Sequence, residues 1–228
     1  MAQTDLGAKQ TRGRAVLVWD LPTRLFHWAT AALIVVAYVT YLLGWMDWHA
    51  RAGNAVLTLV VFRLLWGFFG SDTARFSRFV FAPRTAFTHL SRIFVREPDR
   101  QIGHNAAGGW MVLLLLALLL GETLSGIYLQ NDVANQGPLT DITPARVANA
   151  ITAVHWIFWD ALLAAVALHI LAIGVYASAK GHDLVRPMLT GVKPMPASVA
   201  QPAIASSARA ALLLAASAIA VALLANFA

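Results

Sequence analysis

The sequence predicts an all-α integral membrane protein: a four-helix bundle core followed by one additional C-terminal transmembrane helix. Three observations carry that expectation. Hydrophobic residues make up 59% of the chain and charged residues only 12%, against roughly 25% charged in an ordinary soluble domain. Five apolar runs approach or exceed the ~20 residues that cross a hydrocarbon core, more than a water-soluble interior of this size could bury. Lysine and arginine alternate in density between those runs, as they do in the loops of membrane proteins.

The runs lie at about 25–45, 54–70, 109–129, 151–177 and 210–227. A segment in lipid must satisfy its own backbone polar groups, so each run is expected to be a helix. The first run follows a polar tail and is too long, without a small-residue cleavage site, to be a signal peptide. A tight turn around Met46–Arg51 should join it to the short second run. The third opens after Gly103-His104-Asn105, and the fourth is long enough to tilt or project. Residues 193–208 read as a flexible tether. The fifth run is nearly all Ala and Leu and reads as a peripheral helix without site residues. The chain therefore divides into a core at 1–193, a linker at 194–209 and an additional helix at 210–228.

Basic residues set the expected orientation. Counted by segment, Lys and Arg number four up to Arg24, one at 45–53, six at 71–108, one at 130–150 and four from Lys180 to Arg209. Cytoplasmic loops carry the excess. The N-terminus should be cytoplasmic and the C-terminus on the outer, periplasmic side. Trp45, Trp48, Trp156 and Trp159 would then form an outer aromatic belt, and Trp19, Trp66 and Trp110 an inner one. This topology accounts for the net charge of +6 without any nucleic-acid partner.

Cysteine is absent. That excludes disulfides, thiolate-held zinc or iron–sulfur centres and covalently attached c-type haem. A redox centre would need histidine or other non-thiol ligands. His155 and His169 lie 14 residues apart in the fourth run, which puts them on nearly one helix face about 21 Å apart in depth. One helix could thus ligate two stacked haems, each iron taking a second axial ligand from another helix. His27 shares a depth with His169, and His49 shares one with His155. His49 stands at a helix entry, where an interfacial role is the plain alternative.

Arg63, in the middle of the second run, should face the bundle as a haem propionate contact or snorkel to the inner surface. His104 could touch a propionate or a quinone, or be simply interfacial. Glu122 and Asp160 read as hydrogen-bonded carboxylic acids before they read as proton-relay groups. His89 and His182 fall in basic segments and read as solvated.

Several stretches together resemble the bacterial cytochrome b561 and nickel–iron hydrogenase b-type cytochrome family. They are Trp19-Asp20-Leu21-Pro22-Thr23-Arg24-Leu25-Phe26-His27-Trp28, Arg63-Leu64-Leu65-Trp66-Gly67-Phe68 with Ala74-Arg75-Phe76, Gly103-His104-Asn105, Leu168-His169-Ile170 and Met188-Leu189-Thr190-Gly191-Val192-Lys193. The resemblance covers residues 16–193. It implies a multi-pass protein of the bacterial inner membrane with two haems b, their irons held by His27, His49, His155 and His169. It also implies electron transfer between the quinone pool and a small donor or a redox partner such as a hydrogenase or a c-type cytochrome. Ala106 stands where the family usually has proline. Two alternatives remain: a histidine-based transporter or metal-handling membrane protein, and a superoxide:quinone oxidoreductase on the same scaffold. The loop at 130–150 is the expected docking or substrate surface.

Overall fold

The computed structural model describes residues 14–97, 99, 101–129 and 144–227. Five helices in it are long and apolar enough to cross a membrane. They are α1 (Leu21–Leu42), α2 (Met46–Phe69), α5 (Ala106–Ile127), α6 (Ala145–Val175) and α8 (Ser207–Phe227). Two short helices, α3 (Phe76–Phe79) and α4 (Pro83–Ser91), lie between α2 and α5, and α7 (Val185–Thr190) follows α6. The protein is a multi-pass all-α membrane bundle.

Local chemistry sets the helix ends. Asp20 caps α1: its Oδ1 accepts from the Thr23 backbone N–H at 2.8 Å, and Pro22 sits in the first turn, where its missing donor costs nothing. The other oxygen, Oδ2, accepts from Trp66 Nε1 at 3.0 Å, so one carboxylate ties the start of α1 to the end of α2. Gly44, at φ 72°, turns the chain after α1. Helix α2 begins there, at Met46, eight residues before the apolar run suggests. The expected turn at Met46–Arg51 is therefore helical, and His49 stands in the first turn of α2. Asn105 caps α5 through Oδ1, which accepts from the Gly108 N–H at 2.7 Å. Ala106 opens the helix directly after that cap.

Helix α2 is the central element, packed on α1, α5 and α8, while α5 packs on α6. Val56, Val60, Leu116, Leu119 and Leu162 form the core where α2, α5 and α6 meet. Gly121 lets the Phe158 ring of α6 lie against α5, since a Cβ there would come within 2.5 Å of it.

A small antiparallel pair closes one end of the bundle. Strand β1 (Arg14–Leu17) pairs with β2 (Val192–Met195), Arg14 opposite Met195 and Leu17 opposite Val192. Val16, Val18, Trp19 and Met195 pack together beneath it.

Several expectations need correction. The linker is not a free tether: Ala203 and Asp72 exchange hydrogen bonds, and the Ala205 N–H donates to Ser71 Oγ at 3.0 Å. Helix α8 lies along α2, with Ala210 against Phe62 and Trp66, and Val221 against Leu57. Trp66 and Trp19 are interior residues, whereas Trp45, Trp48 and Trp156 are exposed as a belt requires. His89 and His182 are not simply solvated: His89 Nε2 lies 2.7 Å from Tyr176 Oη, and His182 Nε2 lies 2.8 Å from the Glu97 carbonyl. Burial, and next the Lys180 charge, hold the His89 pKa below its ordinary value. Asp160, midway along α6, is exposed and has no hydrogen-bond partner among the described residues, unlike the bonded acid expected. Most of the expected docking loop, residues 130–143, lies outside the described residues.

Candidate haem-binding site

At the end of the bundle closed by the strands, α1 and α6 bring the rings of His27 and His169 together. Their ring centroids are 6.3 Å apart with planes inclined by 53°. Imidazole nitrogens bind metals at about 2 Å, and the centroid of each ring lies a little over an ångström behind its nitrogen. The separation therefore matches two imidazoles sharing one iron. His27 Nδ1 is buried without a hydrogen-bond partner.

Polar groups left unpaired in the interior cluster around this pair. Arg63 is 2% exposed and does not reach solvent. Its guanidinium lies over the rings of Phe76 and Phe79, at 5.3 and 6.0 Å, and Nη1 has no partner. His104 is clamped between Trp19 and Phe79, with ring centroids at 4.5 and 4.7 Å. Burial, then the positive charge of Arg63, drives its pKa down to about 3, so its imidazole is neutral. His104 Nδ1 and the Thr73 hydroxyl are also buried and unpaired. Buried donors without acceptors are costly. This set fits an anionic group such as a haem propionate.

At the opposite end, His49 and His155 line one cavity of about 280 Å³ with Tyr38, Gly53, Glu122 and Trp159. His49 Nδ1 lies 2.9 Å from the Ala37 carbonyl of α1. A carbonyl only accepts, so Nδ1 carries the proton and Nε2 presents a lone pair. His155 is oriented in the same way. Its Nδ1 lies 3.0 Å from the Glu122 carbonyl and 3.0 Å from Ser125 Oγ. Its Nε2 lies 3.2 Å from Glu122 Oε1. The Glu122 carboxyl thus covers the nitrogen that an iron would take, and ligation there requires it to turn away.

The four histidines expected from the sequence fall into two groups, one at each end. Arg63 and His104 join the first group. Sequence reasoning missed Ser125, Thr73 and the Ala37 carbonyl. Glu122 and Ser125, three apart on one helix, offered a visible signal, but a backbone carbonyl offers none. Among the described residues, no three His, Asp or Glu side chains gather to hold a bare metal ion.

A bundle of membrane helices that sets paired histidines on different helices toward its interior defines a class, the membrane b-type cytochromes. The chain belongs to the prokaryotic cytochrome b561 family, whose profile matches residues 18–191. It is similar to a probable Ni/Fe-hydrogenase B-type cytochrome subunit of Rhizobium leguminosarum bv. viciae, 24% identical over 57% of this chain and 66% of that one. The corresponding protein of Azotobacter vinelandii is 32% identical over 44% of this chain and 51% of its own length. That of Bradyrhizobium diazoefficiens is 27% identical over 44% and 52%. The aligned part of the chain thus spans about half to two thirds of these relatives. No solved structure matches. The protein is thus a multi-pass membrane member of the prokaryotic cytochrome b561 family.

Proposed function

We propose that the protein holds two haems b and carries electrons across the bacterial inner membrane between a redox partner and the quinone pool. The observation that carries this reading is the His27–His169 pair, two imidazoles from different helices separated by 6.3 Å. Haem iron supplies the one-electron chemistry when bound. The chain supplies ligands, orientation and a dry path.

His27 and His169 would hold the inner haem. Arg63 and His104 would take its propionates, which accounts for their unpaired buried nitrogens. His49 and His155 would hold the outer haem, their rings fixed by the Ala37 and Glu122 carbonyls. Such outer contacts set the tautomer and strengthen a ligand. Helices α1, α2 and α6 supply the histidines of both sites, and α5 packs against α6 beside them. The relatives are named as hydrogenase cytochrome subunits, and the electron path proposed has a hydrogenase-like donor at the outer end and quinone at the inner one.

The test is haem content. Pyridine haemochrome quantitation of the detergent-purified protein should give two haems b per chain. His169→Ala should give about one, with the other still reducible by dithionite. Unchanged haem content in that variant overturns the ligand assignment. The quinone step is read separately, as reoxidation of the reduced protein by a short-chain quinone.

A further inference from the structure

Helix α4 and the turns flanking it carry chemistry that electron transfer leaves unused. The segment lies outside the spans but is fixed to two of them. Trp110 Nε1, in the second turn of α5, donates to the Phe81 carbonyl at 3.1 Å. His89 reaches Tyr176, in the turn that ends the α6 span. The segment therefore sits at the level where α5 and α6 leave the hydrocarbon.

At ~100° per residue its side chains divide into three directions. Ala86 is buried, and it shares a bundle-facing side with His89. Phe87 is 72% exposed and shares a second side with Leu90, itself 45% exposed, and Phe94, 77% exposed, follows in the turns after α4. Arg84 and Thr88 occupy the third, and Arg92 caps the end of the helix. A helix wholly in water would divide into two sides, one packed and one polar. A distinct apolar side between them is the pattern of a helix lying in the membrane interface.

We propose that residues 81–96 form an interfacial arm that takes up anionic phospholipid. Phe87, Leu90 and Phe94 enter the acyl boundary, while the arginines meet headgroup phosphates, which guanidinium binds in bidentate fashion. Charge supports this occupant. Arg78, Arg84, Arg92 and Arg96 lie in or beside the arm. Two of them also pair with acids, Arg92 with Glu97 at 2.5 Å and Arg78 with Asp72 at 3.9 Å, and Arg96 Nε donates to the Ala179 carbonyl at 3.2 Å. Arg84 has no carboxylate partner among the described residues. Continuity supports it too: exposed Trp110 and Leu114 of α5 extend the same apolar surface into the spans. The inference rests on the membrane bundle alone and does not depend on the number of haems.

The chain has no cysteine, so nitroxide labels can be placed singly at Phe87→Cys, Phe94→Cys and Thr88→Cys. The full-length protein is studied in nanodiscs of mixed phosphatidylglycerol and phosphatidylcholine. Labels at 87 and 94 should collide mainly with dissolved oxygen, and the label at 88 mainly with a water-soluble nickel chelate. Nickel-dominated collisions at 87 and 94 would place that face in water, as for a protein-docking surface, and overturn the proposal. If either phenylalanine variant fails to fold, Ser91→Cys at the edge of the same face reads the depth. Native mass spectrometry then compares retained lipids. The protein should keep phosphatidylglycerol preferentially, and Arg84→Gln should weaken that preference about fivefold. Equal retention of the two lipids, or an unchanged preference in the variant, overturns the anionic part.

Discussion

The guanidinium of Arg63 has no route to water. It is held among Phe76, Phe79 and the α2 backbone, and a lone cation so placed is expensive unless something anionic answers it. Asp20 acts on it through space, but the carboxylate oxygens of Asp20 are already used by Thr23 and Trp66. A fixed positive charge near a haem favours the reduced iron, which carries one positive charge fewer. Arg63→Leu, close in volume, should lower one of two midpoint potentials by tens of millivolts and leave the other in place, as read by a redox titration followed at the haem α-band. Two unshifted midpoints would mean that the guanidinium serves packing alone. At this scale the histidines were legible, because ligand type, helical period and depth all leave marks in a sequence. Their orienting partners were not: the Ala37 and Glu122 carbonyls belong to the backbone, which is the same at every position. Whether Arg63 snorkels or stays inside was equally illegible, since it depends on Phe76 and Phe79 closing over it.

Helices were legible where apolar runs marked them, but their ends were not. The apolar run of α2 starts eight residues after the helix does, because Asp47, His49 and Arg51 lie at the interface, where polar side chains cost little. The β1–β2 pair was invisible for another reason. Two four-residue strands some 175 positions apart show no local periodicity, and only the bundle brings them together. Composition marks α8 as a peripheral helix without site residues, and it packs on α2 by one narrow stripe with most of its surface exposed. A run of Ala and Leu looks like a helix that lipid surrounds, yet small residues let a helix approach its neighbour closely. Ser217 is fully buried, and its hydroxyl bonds back to the Leu213 carbonyl at 2.8 Å. Ser217→Leu should therefore overfill the interface with the bundle and cost about 1–3 kcal/mol. Thermal unfolding in detergent should show a lower midpoint with haem content unchanged before the transition. An unchanged midpoint would mean that α8 docks loosely.

For the molecule as a whole, the arginines and the accessory elements gather at one end. The strand pair, α3, α4 and α7 all belong to the segments that carry four, six and four basic residues, whereas the described chain at the other end holds Arg51 and Arg146. Short loops rich in Lys and Arg stay on the cytoplasmic side, so the His27–His169 end should face the cytoplasm. Five spans then leave the two termini on opposite sides, and α8 decides the matter for the C-terminus: without it, both termini would share a compartment. Alkaline phosphatase folds only in the periplasm, and green fluorescent protein exported through the same route stays dark there. Fusion after residue 228 should give active phosphatase and a dark fluorescent protein, and fusion of the fluorescent protein before residue 1 should be bright. The reverse pattern would turn the bundle over, put Arg63, His104 and the basic α4 arm on the outer side, and move the proposed quinone end to the periplasmic leaflet. An inactive phosphatase after residue 228 together with a bright fluorescent protein at both termini would instead show that α8 does not span, leaving a four-helix core with both ends in the cytoplasm.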